Sequence, residues 1–153
     1  MTAELIAQFY NALAARDGEA MAAYYHDDIV FEDPAFGELR GNDPGDMWRM
    51  LCSSDTDLTL THTVGAVTDT TASATWVAKY TFTATGRPVT NIVTATMKLR
   101  DGLIVDHRDD FDFWKWSSQA LGAPGKFLGW TPFLKAKVQK TTRENLDAFQ
   151  AKA

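Results

Sequence analysis

Cysteine is nearly missing from this chain: Cys52 is the only one in 153 residues, so no disulfide can close within it, and a reducing cytoplasm is the expected compartment. Long apolar runs are missing too. No stretch approaches the roughly 20 apolar residues that a membrane span needs, and Met1-Thr2-Ala3-Glu4-Leu5 lacks the charged and apolar blocks of a secretory signal. Basic charge is in deficit, with 15 Lys and Arg against 20 Asp and Glu and a net charge of −5, which argues against nucleic acid or a membrane surface as partner. No glycine-rich phosphate loop and no nucleophile elbow occurs, and His26, His62 and His107 include no pair at helical i, i+4 spacing. No cofactor is therefore expected.

What the chain does have is the stretch from Gly102 to Trp114. Side chains alternate faces along a strand, so Leu103, Val105, His107, Asp109, Phe111 and Phe113 share one face, and Ile104, Asp106, Arg108, Asp110 and Asp112 the other. The first face is apolar except at His107 and Asp109. Burying an imidazole and a carboxylate is costly unless they are paired, and interior titratable groups are what acid–base chemistry uses. A purely structural histidine satisfied by its i+2 aspartate is the alternative.

Upstream, Leu5, Ile6, Phe9, Tyr10 and Leu13 recur at helical spacing until Arg16-Asp17-Gly18. Asp17 can cap a second helix, with Met21, Tyr24 and Tyr25 inward and an end near His26-Asp27-Asp28. Ile29-Val30-Phe31 reads as a brief strand, and Pro34 holds Asp33 extended at its end, where the side chain can look into a cavity or simply serve a turn. Asn42 or Asp43 before Pro44 opens a third helix through Met47, Trp48 and Leu51. Alternation then predicts strands through Leu58–Ala66, Ala72–Phe82 and Asn91–Leu99. Thr131-Pro132 starts a last helix running to about Gln150, whose apolar residues call for packing across the sheet or onto a second subunit.

Parity of loop lengths gives a register. A three-residue Arg100-Asp101-Gly102 loop sets Leu99 against Leu103, Ala95 against His107 and Val93 against Asp109. The same count through a four-residue Thr85–Pro88 loop sets Trp76 beside Met97, Ala78 beside Ala95 and Tyr80 beside Val93. Two alanines in the row of His107 then leave room for a ligand. His62 falls beside Trp76, two strands over from His107, so a metal site from His62, His107 and Asp109 is awkward and none is assigned.

Helices followed by a long antiparallel meander, with polar groups on the inner face of its last strand, resemble the nuclear transport factor two-like superfamily. The segment Asp17–Pro34 resembles that of ketosteroid isomerases, and the resemblance gives Asp33 the place of their proton-shuttling base. Phe9 stands where those enzymes carry a tyrosine, with Tyr10 one residue off, and Ala95 stands where they carry a protonated aspartate, so steroid isomerisation itself is not implied. His107 and Asp109 resemble the inward pair of SnoaL-type polyketide cyclases. The Asp-Arg-Asp arrangement of limonene epoxide hydrolases is not matched, because Arg108 points outward.

The expected fold is α+β: a cone-shaped, curved antiparallel sheet wrapped around N-terminal helices, as in the cystatin-like or ketosteroid isomerase-like roll, with a C-terminal helix. One SnoaL-like domain spans residues 1–153, with the cone in 1–116 and a helical extension in 117–153. The resemblance implies an isomerase, cyclase or lyase type of acid–base chemistry on a small apolar carbonyl or ring compound, or a binding module without chemistry, and a homodimer through the outer face of the sheet. Asp33, His107 and Asp109 are the expected catalytic residues; Phe9, Tyr10, Trp76, Tyr80, Val93, Ala95 and Phe111 are expected to line the substrate.

Overall fold

The computed structural model describes residues 2–53 and 57–152. The chain runs α1 (Thr2–Ala14), α2 (Gly18–Ala23), β1 (Tyr25–Asp33), β2 (Gly37–Arg40), α3 (Asp43–Ser53), β3 (Thr59–Val67), β4 (Thr71–Phe82), β5 (Arg87–Arg100), β6 (Leu103–Asp110), α4 (Phe113–Leu121), α5 (Ala123–Leu128) and α6 (Pro132–Lys152). The strands form one curved, unclosed sheet in the order β2-β1-β6-β5-β4-β3. Only the β1–β6 pair among them is parallel. Helices on its inner face complete the α+β cone expected from the sequence.

Helix α1 buries Ile6, Phe9, Tyr10 and Leu13, one stripe at three- and four-residue spacing. Arg16, at φ +57°, turns the chain out of the helix, and the Asp17 carboxylate accepts from the Ala20 N–H to start α2. A Cβ on Gly18 would stand 2.7 Å from the Arg49 Cα, so α2 can lie this close to α3 only with glycine there. Helix α2 ends at Ala23, short of the expected His26–Asp28, and the first strand begins at Tyr25 rather than Ile29. The reason is non-local: the Ile104 N–H takes the Tyr24 carbonyl at 2.9 Å and draws the chain into the sheet.

The β5–β6 register departs from the parity argument. Asp101 (φ +55°) and Gly102 (φ +74°) form a two-residue turn with Arg100 opposite Leu103. Parity is restored by a bulge: Lys98 pairs with Asp106 and Leu99 with Ile104, leaving Val105 as the extra residue. Ile104, expected outward, is therefore fully buried, while Leu103 and Val105, expected inward, are only half-buried. Beyond the bulge Met97 pairs with His107 and Ala95 with Asp109, so Ala95 neighbours the aspartate and not the histidine.

The β4–β5 turn also lies earlier than expected, since Phe82 pairs with Arg87 and strand pairing starts there. Trp76 consequently pairs with Val93, Ala74 with Ala95, Ala78 with Asn91 and Tyr80 with Val89. The pairing of His62 with Trp76 is as the sequence predicted. Phe113 does not continue β6; Asp112 caps the Lys115 N–H and α4 starts at Phe113.

Helix α6 packs on α3 and on the turn after β1. Gln139 Nε2 donates to the Pro34 carbonyl at 3.1 Å and Thr142 Oγ1 to the Ala35 carbonyl at 2.9 Å. Arg143 pairs with Asp43 at 2.7 Å, and Gln150 donates to Asp43 and Asp46. Among the described residues, no helix is long and apolar enough to cross a membrane. Leu146, fully buried, is the apolar anchor of α6 in the main core. Leu146→Ala should lower the unfolding free energy by about 2–5 kcal/mol, the usual effect of emptying a buried leucine site. Chemical denaturation reads this directly; a change below about 1 kcal/mol would mean that α6 is not held by that contact.

Candidate active site

Two carboxyl groups lie close enough for the charge of one to act on the other. Parallel pairing puts Phe31 beside His107 and Glu32 beside Arg108, and Asp33 is the next residue, the last of β1. Asp109 pairs with Ala95, and Ala95 with Ala74, so the row reads Asp109, Ala95, Ala74. Of the two alanines that the sequence assigned to the histidine row, Ala95 thus flanks a carboxylate, while Ala78 pairs with Asn91 and Ala74 takes its place.

Behind Asp109 runs a buried hydrogen-bond chain. Trp48 Nε1 donates to the Tyr25 hydroxyl at 2.8 Å, that hydroxyl meets His107 Nδ1 at 2.8 Å, and His107 Nε2 meets Asp109 Oδ1 at 2.8 Å. The donor count fixes the protons. Indole nitrogen can only donate, so the Tyr25 oxygen accepts there and its own hydrogen goes to Nδ1; the ring then carries its hydrogen on Nε2 and donates to Asp109. Both nitrogens of the fully buried His107 are occupied, leaving neither free for a ligand. In this arrangement the partners of His107 are Tyr25 and Asp109. Phe31 and Phe9 hold the imidazole edge to face at centroid distances of 5.0 and 5.7 Å.

Asp33 is held differently. Its Oδ1 accepts from the Ala35 and Phe36 N–H groups at 2.9 and 2.6 Å. Burial pushes its carboxyl from the ordinary 3.8 up to about 7, with the Phe36 N–H opposing and the charge of Asp109 adding to the rise. The half-buried Tyr80, whose hydroxyl accepts from Trp116 Nε1 at 2.8 Å, also feels the charge of Asp33, and burial pushes its phenol up.

These features match a family model. The model described as a SnoaL-like domain covers residues 6–107, two-thirds of the chain. The chain belongs to the SnoaL-like family. Solved structures carry the same fold for this SnoaL-like protein. A candidate polyketide cyclase from Silicibacter sp. tm1040 is 22% identical over 76% of this chain and 93% of its own, with a TM-score of 0.68. An LEH-like epoxide hydrolase from M. tuberculosis is 20% identical over 78% and 88%, with a TM-score of 0.62. A protein of ketosteroid isomerase-like fold from Catenulispora acidiphila, in complex with trimethylamine, is 17% identical over 84% and 98%, with a TM-score of 0.67. No curated protein matches the sequence.

The residues expected to line the substrate divide in two. Phe9, Tyr10, Trp76, Val93 and Ala95 lie in the main core of this SnoaL-like chain, whereas Tyr80 and Phe111 bridge it to a second cluster built on Val89, Phe113, Trp116 and Ala120. His62 stacks on Tyr10 at 5.5 Å instead of joining His107. Arg108 lies outward, as expected, against Asp106 and Glu32. An open groove of about 510 Å3, lined by outer-face side chains including Thr71, Ser73, Thr96, Lys98, Asp106 and Arg108, is separate from the carboxyl row.

Sequence reasoning missed Tyr25 and Trp48 as site residues. Both looked like ordinary core aromatics, and nothing local marks the Tyr25 hydroxyl as partner of a histidine some 80 residues away or the Trp48 N–H as donor to that hydroxyl. Tyr25→Phe would leave the Trp48 N–H and His107 Nδ1 without partners, a loss of about 1–3 kcal/mol for each buried group; denaturant unfolding measures it, and an unchanged midpoint would contradict the chain. Asp33 gives a second test. A carboxyl raised in the folded state favours folding while protonated, so its contribution is lost as pH climbs from 3.8 through about 7. Asparagine keeps the Oδ1 acceptor and never ionises, so Asp33→Asn should gain on the parent progressively as pH rises from about 3.8 to about 7, with the gap level above that and closing in acid. A gap independent of pH would refute the raised value.

Proposed function

We propose that this protein is an acid–base enzyme of isomerase, cyclase or lyase type acting on a small apolar carbonyl or ring compound. The observation that carries the reading is the Asp33–Asp109 pair, two carboxyls close enough for the charge of one to act on the other, of which Asp33 is poised near neutrality. Ionised Asp33 takes a proton from the carbon beside the carbonyl, and the C–H electron pair moves through the new double bond onto the oxygen. Asp33 then returns the proton at another carbon, or the enolate carbon forms a bond to a second carbonyl carbon, whose C=O π pair moves onto its oxygen and takes the proton back from Asp33 to give a hydroxyl. Asp109 raises the proton affinity of Asp33 by its charge, and His107, Tyr25 and Trp48 position Asp109. Names of fold relatives, a polyketide cyclase candidate among them, are compatible with this class of chemistry without fixing the substrate.

Deuterium exchange at the α-carbon of a panel of cyclic ketones and enones tests the proposal. Exchange should rise with pH to a plateau above about 7 in the parent and fall about a hundred- to ten-thousand-fold in Asp33→Asn. His107→Gln should cost less. Ligands that bind without exchanging any proton would point to a binding module instead, and a fully active Asp33→Asn would overturn the assignment of the base.

A further inference from the structure

Among the described residues, two buried side-chain donors have no hydrogen-bond partner: the Tyr10 hydroxyl and the Trp76 indole N–H. Tyr10 is fully buried and Trp76 is 9% exposed. Elsewhere in the interior the polar groups near the site are satisfied, the Trp48–Tyr25–His107–Asp109 chain being the example. Buried donors are nearly always paired, so two orphans at one place need an account.

They do share one place. Their rings lie 6.0 Å apart, and His62, stacked on Tyr10, is the cross-strand partner of Trp76. Trp76 pairs with Val93, two residues along β5 from Ala95, the partner of Asp109. Trp76 therefore stands one sheet row along and two strands across from Asp109, with Ala95 and Ala74 between them. The charge of Asp109 reaches the Tyr10 hydroxyl.

The chemistry of the two groups selects what fits. An indole N–H only donates, so the ligand atom must be an acceptor. Burial first, then Asp109 and Tyr25, pushes the Tyr10 phenol up, so it too keeps its proton to donate. Neither group is cationic and two carboxyls lie close by, which disfavours a fully charged anion. The rings of Phe9 and Trp48, in contact with Tyr10 and Trp76 respectively, favour a flat apolar body. We infer that Tyr10 and Trp76 together hold the acceptor oxygen of a flat, uncharged carbonyl compound, with Trp76 one sheet row along from Asp109. This rests on the reading that the interior binds a small molecule, but not on that molecule being turned over.

A matched pair of probes tests it: acetylnaphthalene, which carries the oxygen, and ethylnaphthalene, which has the same shape without it. The ketone should bind the parent on the order of ten-fold more tightly than the hydrocarbon, and Tyr10→Phe and Trp76→Phe should each remove most of that preference. In the nitrogen–proton correlation spectrum, the indole resonance absent from Trp76→Phe should move with the ketone and stay with the hydrocarbon. Because the Tyr10 hydroxyl is unpaired in the free protein and phenylalanine keeps the ring, Tyr10→Phe should melt at or above the parent temperature; Trp76→Phe also empties core volume and is read by binding alone. The inference falls if the probes bind alike or not at all, or if Tyr10→Phe melts clearly lower, which would mean that a resident water or an internal acceptor already satisfies that donor. Ketone preference without proton exchange would retain the oxygen site and remove the catalytic reading; exchange without ketone preference would do the opposite.

Discussion

The bulge at Val105 is the constraint on which the interior depends. The Asp101-Gly102 turn fixes Arg100 opposite Leu103, and an uninterrupted ladder from there would send His107 and Asp109 to the outer face. One unpaired residue reverses this, burying Ile104 on one side of the bulge and the polar pair on the other. Strand β1, parallel to the bulged strand, then inherits the register: Phe31 meets His107 and Glu32 meets Arg108, which ends β1 with Asp33 within reach of the charge of Asp109. The carboxyl pair is thus a product of strand alignment between segments some 75 residues apart.

Burying such a pair is tolerable because its members are treated differently. Asp109 accepts from His107, whose other nitrogen is satisfied by Tyr25 and through it by Trp48, so that each buried polar atom in that line has a partner. Asp33 has backbone donors on one oxygen only and sits where burial favours its neutral form. Helix α6 steadies the same turn from outside, since Gln139 and Thr142 donate to the carbonyls of Pro34 and Ala35. A C-terminal extension that looks peripheral in sequence thereby bears on the residue proposed to move the proton.

Much of this was legible in the residues. Helical spacing in α1, the Asp17 cap, the Asp43-Pro44 start of α3 and the Thr131-Pro132 start of α6 are local signals, and α2, α3 and α6 start where they were expected. His107 and Asp109 stood out as polar side chains on an apolar face, and Asp33 through Pro34 and the resemblance to ketosteroid isomerases. The register was not, because parity arguments assume an uninterrupted ladder and cannot foresee where a residue is left over. Nor was the end of α2, which is decided by the Ile104 N–H reaching the Tyr24 carbonyl. The roles of Tyr25 and Trp48 follow from contacts across the core, to which composition and periodicity are blind.

The central claim is that Asp33 carries a proton near neutrality beside a second carboxyl. Carboxyl-carbon NMR across a pH titration measures this directly, with Asp33→Asn supplying the assignment. The account predicts one aspartate resonance, absent from the variant, with its midpoint at about 7. If the resonance lost in Asp33→Asn instead titrates near the ordinary 3.8, burial has not shifted the group and the proposed proton shuttle has no poised base.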